Sequence, residues 1–172
     1  MLAACAGAPV SPVVTFNPAA LPAAVQAPAG NKVVLELVGK GDAIYECKTF
    51  GLGTPNPTHS WAFLRPEAKL LDRSGKHIGR YSGPPATWDL FVGSRVTGKE
   101  QATAPGVAGG LPLQLVKADP ATGSQDILKG VTFIQRVNIQ GGVAPTGKCD
   151  WMNDRQTVNV PYQADYIFYK AM

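Results

Sequence analysis

The chain has 172 residues, enough for one domain with a substantial core, and 45% of them are apolar against 16% charged, which excludes intrinsic disorder. Its net charge of +4 comes from basic residues spread along the chain. The densest basic zone (Arg65, Lys69, Arg73, Lys76 and Arg80) has neither interleaved aromatics nor a recognition helix, so no nucleic-acid partner is expected.

The N-terminus reads Met1-Leu2-Ala3-Ala4-Cys5-Ala6-Gly7. Leu2 to Cys5 has the form of a bacterial lipobox, whose cysteine is lipidated and becomes the mature N-terminus. The charged n-region and apolar h-region that would precede it are missing, so the expectation is a lipobox shortened at its start. Membrane anchoring through Cys5 follows, in an outer membrane lipoprotein or another secreted or envelope protein. No run approaches the roughly 18 apolar residues of a spanning helix.

Pro9, Pro12, Pro18, Pro22 and Pro28 punctuate the next stretch, among alanines and valines. Prolines at that density continue neither a helix nor a central strand, so residues 1–30 read as a lipobox-like N-terminus and a Pro/Ala-rich tether or arm. Residues 17–26 have room for a helical turn or two. Val10, Val13, Val14 and Phe16 give the arm more apolar surface than a solvated tether needs. Such an arm suits strand addition to a sheet edge, either its own or that of a neighbouring copy, which makes a homo-oligomer one expected partner.

Residues 31–172 read as a single β-domain. β-Prone runs fall at 33–38, 43–49, 60–64, 68–72, 87–92, 95–99, 112–117, 131–139, 156–160 and 163–169. Turn chemistry separates them, including Gly39-Lys40-Gly41-Asp42 and Arg73-Ser74-Gly75-Lys76. Residues 103–110 read as a mobile loop and residues 124–129 as a helical turn. About ten short strands with abundant glycine (19) and proline (15) indicate an antiparallel β-sandwich or a barrel-like, jelly-roll-like domain. In the last run Tyr162, Ala164, Tyr166 and Phe168 share one face, expected to be core, and Trp61 and Trp88 are expected anchors.

The run Val131–Ile139 ends at Gly141-Gly142 and Pro145, and Cys149 follows. Its one body partner is Cys47, so a Cys47–Cys149 disulfide is expected. That pairing competes with Cys47 as a nucleophile. His59 and His77 are too few and too far apart for a metal motif, and no Gly-x-Ser-x-Gly or Cys-x-x-Cys is present. Asp150 and Asp154 flank Trp151 without the glycine and alternation of a calcium loop, so an ordinary polar connection is expected. No catalytic residue, metal or cofactor is assigned.

Several residues in order carry a resemblance: Tyr45-x-Cys47, Trp61, Pro66-x-Ala68-x-Leu70, Gly83-Pro84, Trp88 and Gly93-Ser94, then the block from Thr132 to Val137. Gly141-Gly142, Pro145, Cys149 and Tyr166-x-Phe168-Tyr169 complete it. Over residues 31–170 the chain resembles domain-of-unknown-function family 3455, whose members are secreted or envelope proteins of bacteria and fungi. Where that family tends to read Gly-x-His-x-x-Gly-Pro-Thr-Trp and then Asp-Gly-Ser, Arg80 replaces the histidine and Val92 the aspartate. Pro85-Ala86 lengthen the step to Trp88. The resemblance implies that any site built from those polar residues is lost or remodelled here. A dehydrogenase label on some fungal relatives finds no Gly-x-Gly-x-x-Gly in this chain. Three functional classes remain, in this order: a non-catalytic, lipid-anchored binding or structural module; a self-assembling subunit linked by its arm; and an enzyme with a loop-built site.

Overall fold

The computed structural model describes residues 17–172. Among these, nine strands form: β1 (Asn31–Phe50), β2 (Thr58–Leu71), β3 (His77–Ser82), β4 (Ala86–Leu90), β5 (Ser94–Ala104), β6 (Leu113–Ala118), β7 (Thr122–Gly123), β8 (Val131–Gly141) and β9 (Thr157–Ala171). Every pairing is antiparallel. The sheet runs β4-β3-β2-β1-β9-β8-β6-β5, and β4 also pairs with β5, so the wall closes on itself. Two-residue β7 continues the place of β6 beside the lower end of β5. The result is an up-and-down barrel with eight staves. The barrel alternative is thus the one realised, with sequential neighbours in place of jelly-roll crossings.

The strands are longer than their sequence suggests. Gly39-Lys40-Gly41-Asp42, expected as a turn, lies inside β1, paired with both β2 and β9. The physical reason is crowding. A Cβ on Gly39 would collide with the ring of Tyr166, and one on Gly41 with the backbone of Glu67 and Ala68. These glycines make room; they do not turn the chain. Pro66 and Pro161 likewise fall inside β2 and β9 and bridge runs that read as separate. The expected helical turn at residues 124–129 is a loop, and Leu128 is the plug of the lower end. It is fully buried, and its N–H donates to the buried Ser94 hydroxyl (3.1 Å). At residues 103–110, expected as a mobile loop, β5 runs on to the buried Ala104, and Leu111 just beyond helps close the upper end.

Inward positions follow from register. Leu37, Gly39 and Gly41 on β1 face Tyr166, Ala164 and Tyr162 on β9, and all the side chains of this set are buried. Tyr162, Ala164, Tyr166 and Phe168 therefore form the expected core face. Trp88 is buried between Tyr81 (ring centroids 5.0 Å), Tyr166 (5.8 Å) and Phe168 (6.0 Å). Gly141 and Gly142 (φ +71° and +66°) bend the exit of β8 in a conformation open to glycine, and Gly142 lies against Tyr162, Leu111 and Ala43.

Residues 17–30 form a strap on the outside of this wall. Two 3₁₀ turns, Pro18–Ala20 and Ala23–Val25, match the expected helical turns. Val25 is fully buried with Ala104 and Leu115, while Leu21 and Ala27 pack beside Val137, Ile167 and Tyr169. Gln135, fully buried on the outer face of β8, donates to the Val25 carbonyl and accepts from the Tyr169 hydroxyl (2.7 Å). The strap starts at Gly30, whose carbonyl accepts from Met172 N–H (2.9 Å) at the lower end, and climbs toward Leu113 and Ala104.

Gly39→Ala should destabilise the barrel by about 1–3 kcal/mol, because the fully buried Tyr166 ring cannot yield. In a chain of this size that lowers the melting temperature by about 2–4 °C per kcal/mol. Gly147→Ala, with nothing near its new methyl group, is the matched control and should melt like the parent. Equal melting of the two variants would contradict the packing account.

Candidate functional site

The upper rim is uneven, and this creates the most distinctive site in the described residues. The β3–β4 hairpin is short, turning through Gly83-Pro84-Pro85 with both proline peptide bonds cis. β3 pairs with β2 only from Glu67 to Leu71, and β4 meets β5 only as far as Gly98. Residues 58–66 of β2 and 99–104 of β5 therefore rise above the hairpin with one edge unpaired. A notch in the wall lies between them.

Polar side chains on the inner surface gather behind that notch. Gln114 on β6 is paired opposite Arg136 on β8, which is opposite Tyr166 on β9, so all three face inward. Glu100, opposite the inward Val116, joins them at the exposed rim. Arg136 is only 4% exposed and donates Nε (3.3 Å) and one Nη (3.0 Å) to the Pro112 carbonyl. Gln114 Nε2 donates to Glu100 (2.6 Å), whereas Gln114 Oε1 is buried without a partner. The Tyr162 and Tyr166 hydroxyls lie 3.0 Å apart. Burial pushes the phenols of Tyr81 and Tyr166 up and that of Tyr162 up to about 12, and the nearby Arg136 cation opposes the shift at all three. These hydroxyls therefore stay protonated across physiological pH and serve as donors.

A second feature crowns the same end. Cys47 and Cys149 are disulfide-bonded, with Cα atoms 5.5 Å apart across 102 residues of sequence. A loop of that length restricts the unfolded chain by about 4–5 kcal/mol in the chain-entropy model. The bond fastens residues 142–156 over the barrel mouth, aided by Tyr45 Oη donating to the Gly142 carbonyl (2.6 Å) and Trp61 Nε1 to the Gly147 carbonyl (3.0 Å). Asp154 accepts from the backbone and hydroxyl of Thr49 (3.1 and 2.7 Å), and Asp150 accepts from Met152 N–H (2.9 Å). Both carboxylates build the turn. Beside it, Phe50, Leu52, Trp151 and Met152 are 46%, 81%, 76% and 65% exposed.

Other sequence candidates lie elsewhere. Cys5, Val10, Val13, Val14 and Phe16 are outside the described residues. Arg80 points outward and pairs with Asp89 (3.1 Å), in an open groove of about 480 Å³ that also has Lys40, Lys69, His77 and Phe91 in its lining. Arg65 pairs with Glu67, and Arg73 clasps Glu36 and Asp165, so much of the basic zone is neutralised locally. Among the described residues no group of three His, Cys, Asp or Glu side chains could hold a metal ion. Sequence reading missed Arg136 and Gln114 as site residues. Gln135-Arg136 was nonetheless a signal, since adjacent polar residues in a strand place one on each face.

A family model described as a protein of unknown function (DUF3455) matches residues 28–170. The chain belongs to this family. No curated protein and no solved structure matches it. The DUF3455 match takes in the first eight strands, β9 up to Lys170 and the end of the strap. Arg80 and Val92, which stand where the resemblance implies a histidine and an aspartate, fall on the outer wall and on an exposed turn, away from the notch.

The buried phenols make an alkaline prediction. All five tyrosines are raised above 10 by burial, Tyr162 and Tyr169 up to about 12. Between pH 10 and 12 the unfolded chain has released protons that the folded one retains. Stability is therefore complete below pH 10 and falls as pH rises, by about 2–3 kcal/mol for Tyr162 and less for Tyr169. Tyrosinate absorbance should appear together with loss of near-ultraviolet circular dichroism. Reversible ionisation near pH 10 with native dichroism intact would contradict the burial.

Proposed function

We propose that the chain is a non-catalytic envelope module, held to a membrane by acyl chains on Cys5, with the upper end of its barrel turned toward that membrane. The observation that carries this reading is the apolar tip of Phe50, Leu52, Trp151 and Met152, on two neighbouring turns that the disulfide and Asp154 lock together. Exposed apolar side chains gathered at one point mark an interaction surface, and tryptophan favours the membrane interface. Around the tip Lys48 faces Glu46, Lys148 faces Asp150 and Arg155 faces Asp154. With those charges balanced, contact would rely on apolar burial and not on attraction to anionic lipid. The strap supports the same orientation, since it climbs toward the upper end on its way to the N-terminus. Acyl chains on Cys5 would hold the chain at the membrane, and the apolar tip would then fix which end of the barrel faces it. Below the notch the barrel interior is filled by side chains, which supports a binding or structural role over catalysis.

The test has two parts. Made from a precursor with a secretion signal, Cys5→Ala protein should leave the membrane fraction, and the parent should carry an acyl mass. The purified Cys5→Ala protein should co-sediment weakly with phosphatidylcholine vesicles, with a blue shift of tryptophan fluorescence that salt does not reverse. Trp151→Ser with Leu52→Ser should abolish both effects. Retention of Cys5→Ala in the membrane fraction, or vesicle binding unchanged in the double variant, would contradict the reading.

A second reading, a self-assembling subunit, draws support from the notch. The barrel is otherwise closed, so the unpaired edges of residues 58–66 and 99–104 are where an added strand would pair. If Val10 to Phe16 of a neighbouring copy fills one of them, deleting residues 6–16 should convert an oligomer to monomer, as read by light scattering. An unchanged mass removes this reading.

A further inference from the structure

The notch holds a cation with no counter-ion. Arg136 is 4% exposed and forms no ion pair among the described residues, and residues 1–16 contain neither aspartate nor glutamate. A buried guanidinium without an anion is costly, and the Pro112 carbonyl, with the Tyr81 hydroxyl close by, occupies only part of its donor set. The nearest acid on the same inner surface, Glu100, is at the rim and takes its hydrogen bond from Gln114. Directly across the β6–β8 pair from Arg136, the buried Gln114 Oε1 is an acceptor with no donor. Opposite residues of an antiparallel pair have Cβ atoms about 5 Å apart, so one small molecule can reach the ends of both side chains. Eight-stranded barrels have interiors just wide enough to be filled or to take one small ligand.

We propose that the notch binds a small carboxylate with a neighbouring hydroxyl, a short hydroxy acid. The carboxylate accepts from the free N–H groups of Arg136, whose planar fork matches it. The ligand hydroxyl donates to Gln114 Oε1. Protonated phenols of Tyr81 and Tyr162 line the inner side of the site, where they favour an anion over a cation. The ligand thus supplies a negative charge to Arg136 and a hydrogen-bond donor to Gln114 Oε1. This inference goes beyond membrane anchoring and does not depend on it.

The full chain is titrated with sodium glycolate, sodium acetate and neutral acetamide while backbone amide shifts and melting temperature are followed. Glycolate should shift the amides of residues 114 and 136 and raise the melting temperature. It should bind about 3–10-fold more tightly than acetate, the difference one hydrogen bond makes. Acetamide should do neither. Gln114→Leu should abolish the preference for glycolate but keep acetate binding, and Arg136→Met should abolish both. If Arg136→Met does not fold, the Gln114→Leu series and the acetamide comparison still decide the matter. Carboxylate shifts that persist in Arg136→Met, or that acetamide reproduces, indicate an adventitious additive only and overturn the proposal. It is also overturned if Glu100→Gln and Arg136→Met destabilise equally with no further loss in the double variant, since Glu100 is then the counter-ion.

Discussion

An eight-stranded barrel closes around a space no wider than its own side chains, and this limit governs the molecule. Trp88, Tyr166 and Phe168 are fully buried there, so other inward positions must give up their side chains. Gly39 yields to the Tyr166 ring, Gly79 approaches the backbone of Asp89 and Leu90, and Gly98 lies against Val116. Aromatic bulk and glycine are two sides of one packing solution. Closure has a second consequence: it removes most free sheet edges from a domain whose regular structure is almost all strand. What stays open is confined to the notch, where the short β3–β4 hairpin leaves β2 and β5 without neighbours.

How much of this was legible depends on whether the signal was local. The alternation of Tyr162, Ala164, Tyr166 and Phe168 identified an inward face because every other residue met the same environment. The pair Cys47 and Cys149 was readable because the body of the chain offered no other combination. Gly39 and Gly41 were misread because their reason, the ring of Tyr166 and the backbone of β2, lies far away in sequence. Pro66 and Pro161 misled for a related cause: a proline interrupts a strand only where the edge its missing N–H would face needs that donor. The opposite face of β9 was harder still. Ile167 and Tyr169 are buried there because residues 17–30 cover them, and the proline-rich strap did not announce that role.

The two ends of the barrel differ in character, and that difference organises the functional reading. The lower end is shut by Leu128 and the buried hydroxyl of Ser94. The upper end gathers the disulfide, the apolar tip, the notch and the buried cation behind it. Arg136 escaped sequence reading because charged residues in an alternating strand are assigned to solvent by default. In a closed barrel the register decides otherwise, and the neighbouring Gln135 takes the outward place beneath the strap.

Amide hydrogen exchange, resolved by residue, tests the closed barrel with one notch most directly. Protection should be greatest where β1 meets β9, around Leu37 and Tyr166, and should persist across the β4–β5 seam at Trp88 and Val96. In residues 58–66, amides donated to β1 should be slow, and those facing the notch should exchange orders of magnitude faster. Fast exchange at the β4–β5 seam would show an open sheet, and uniform protection along residues 58–66 and 99–104 would show that the notch does not exist.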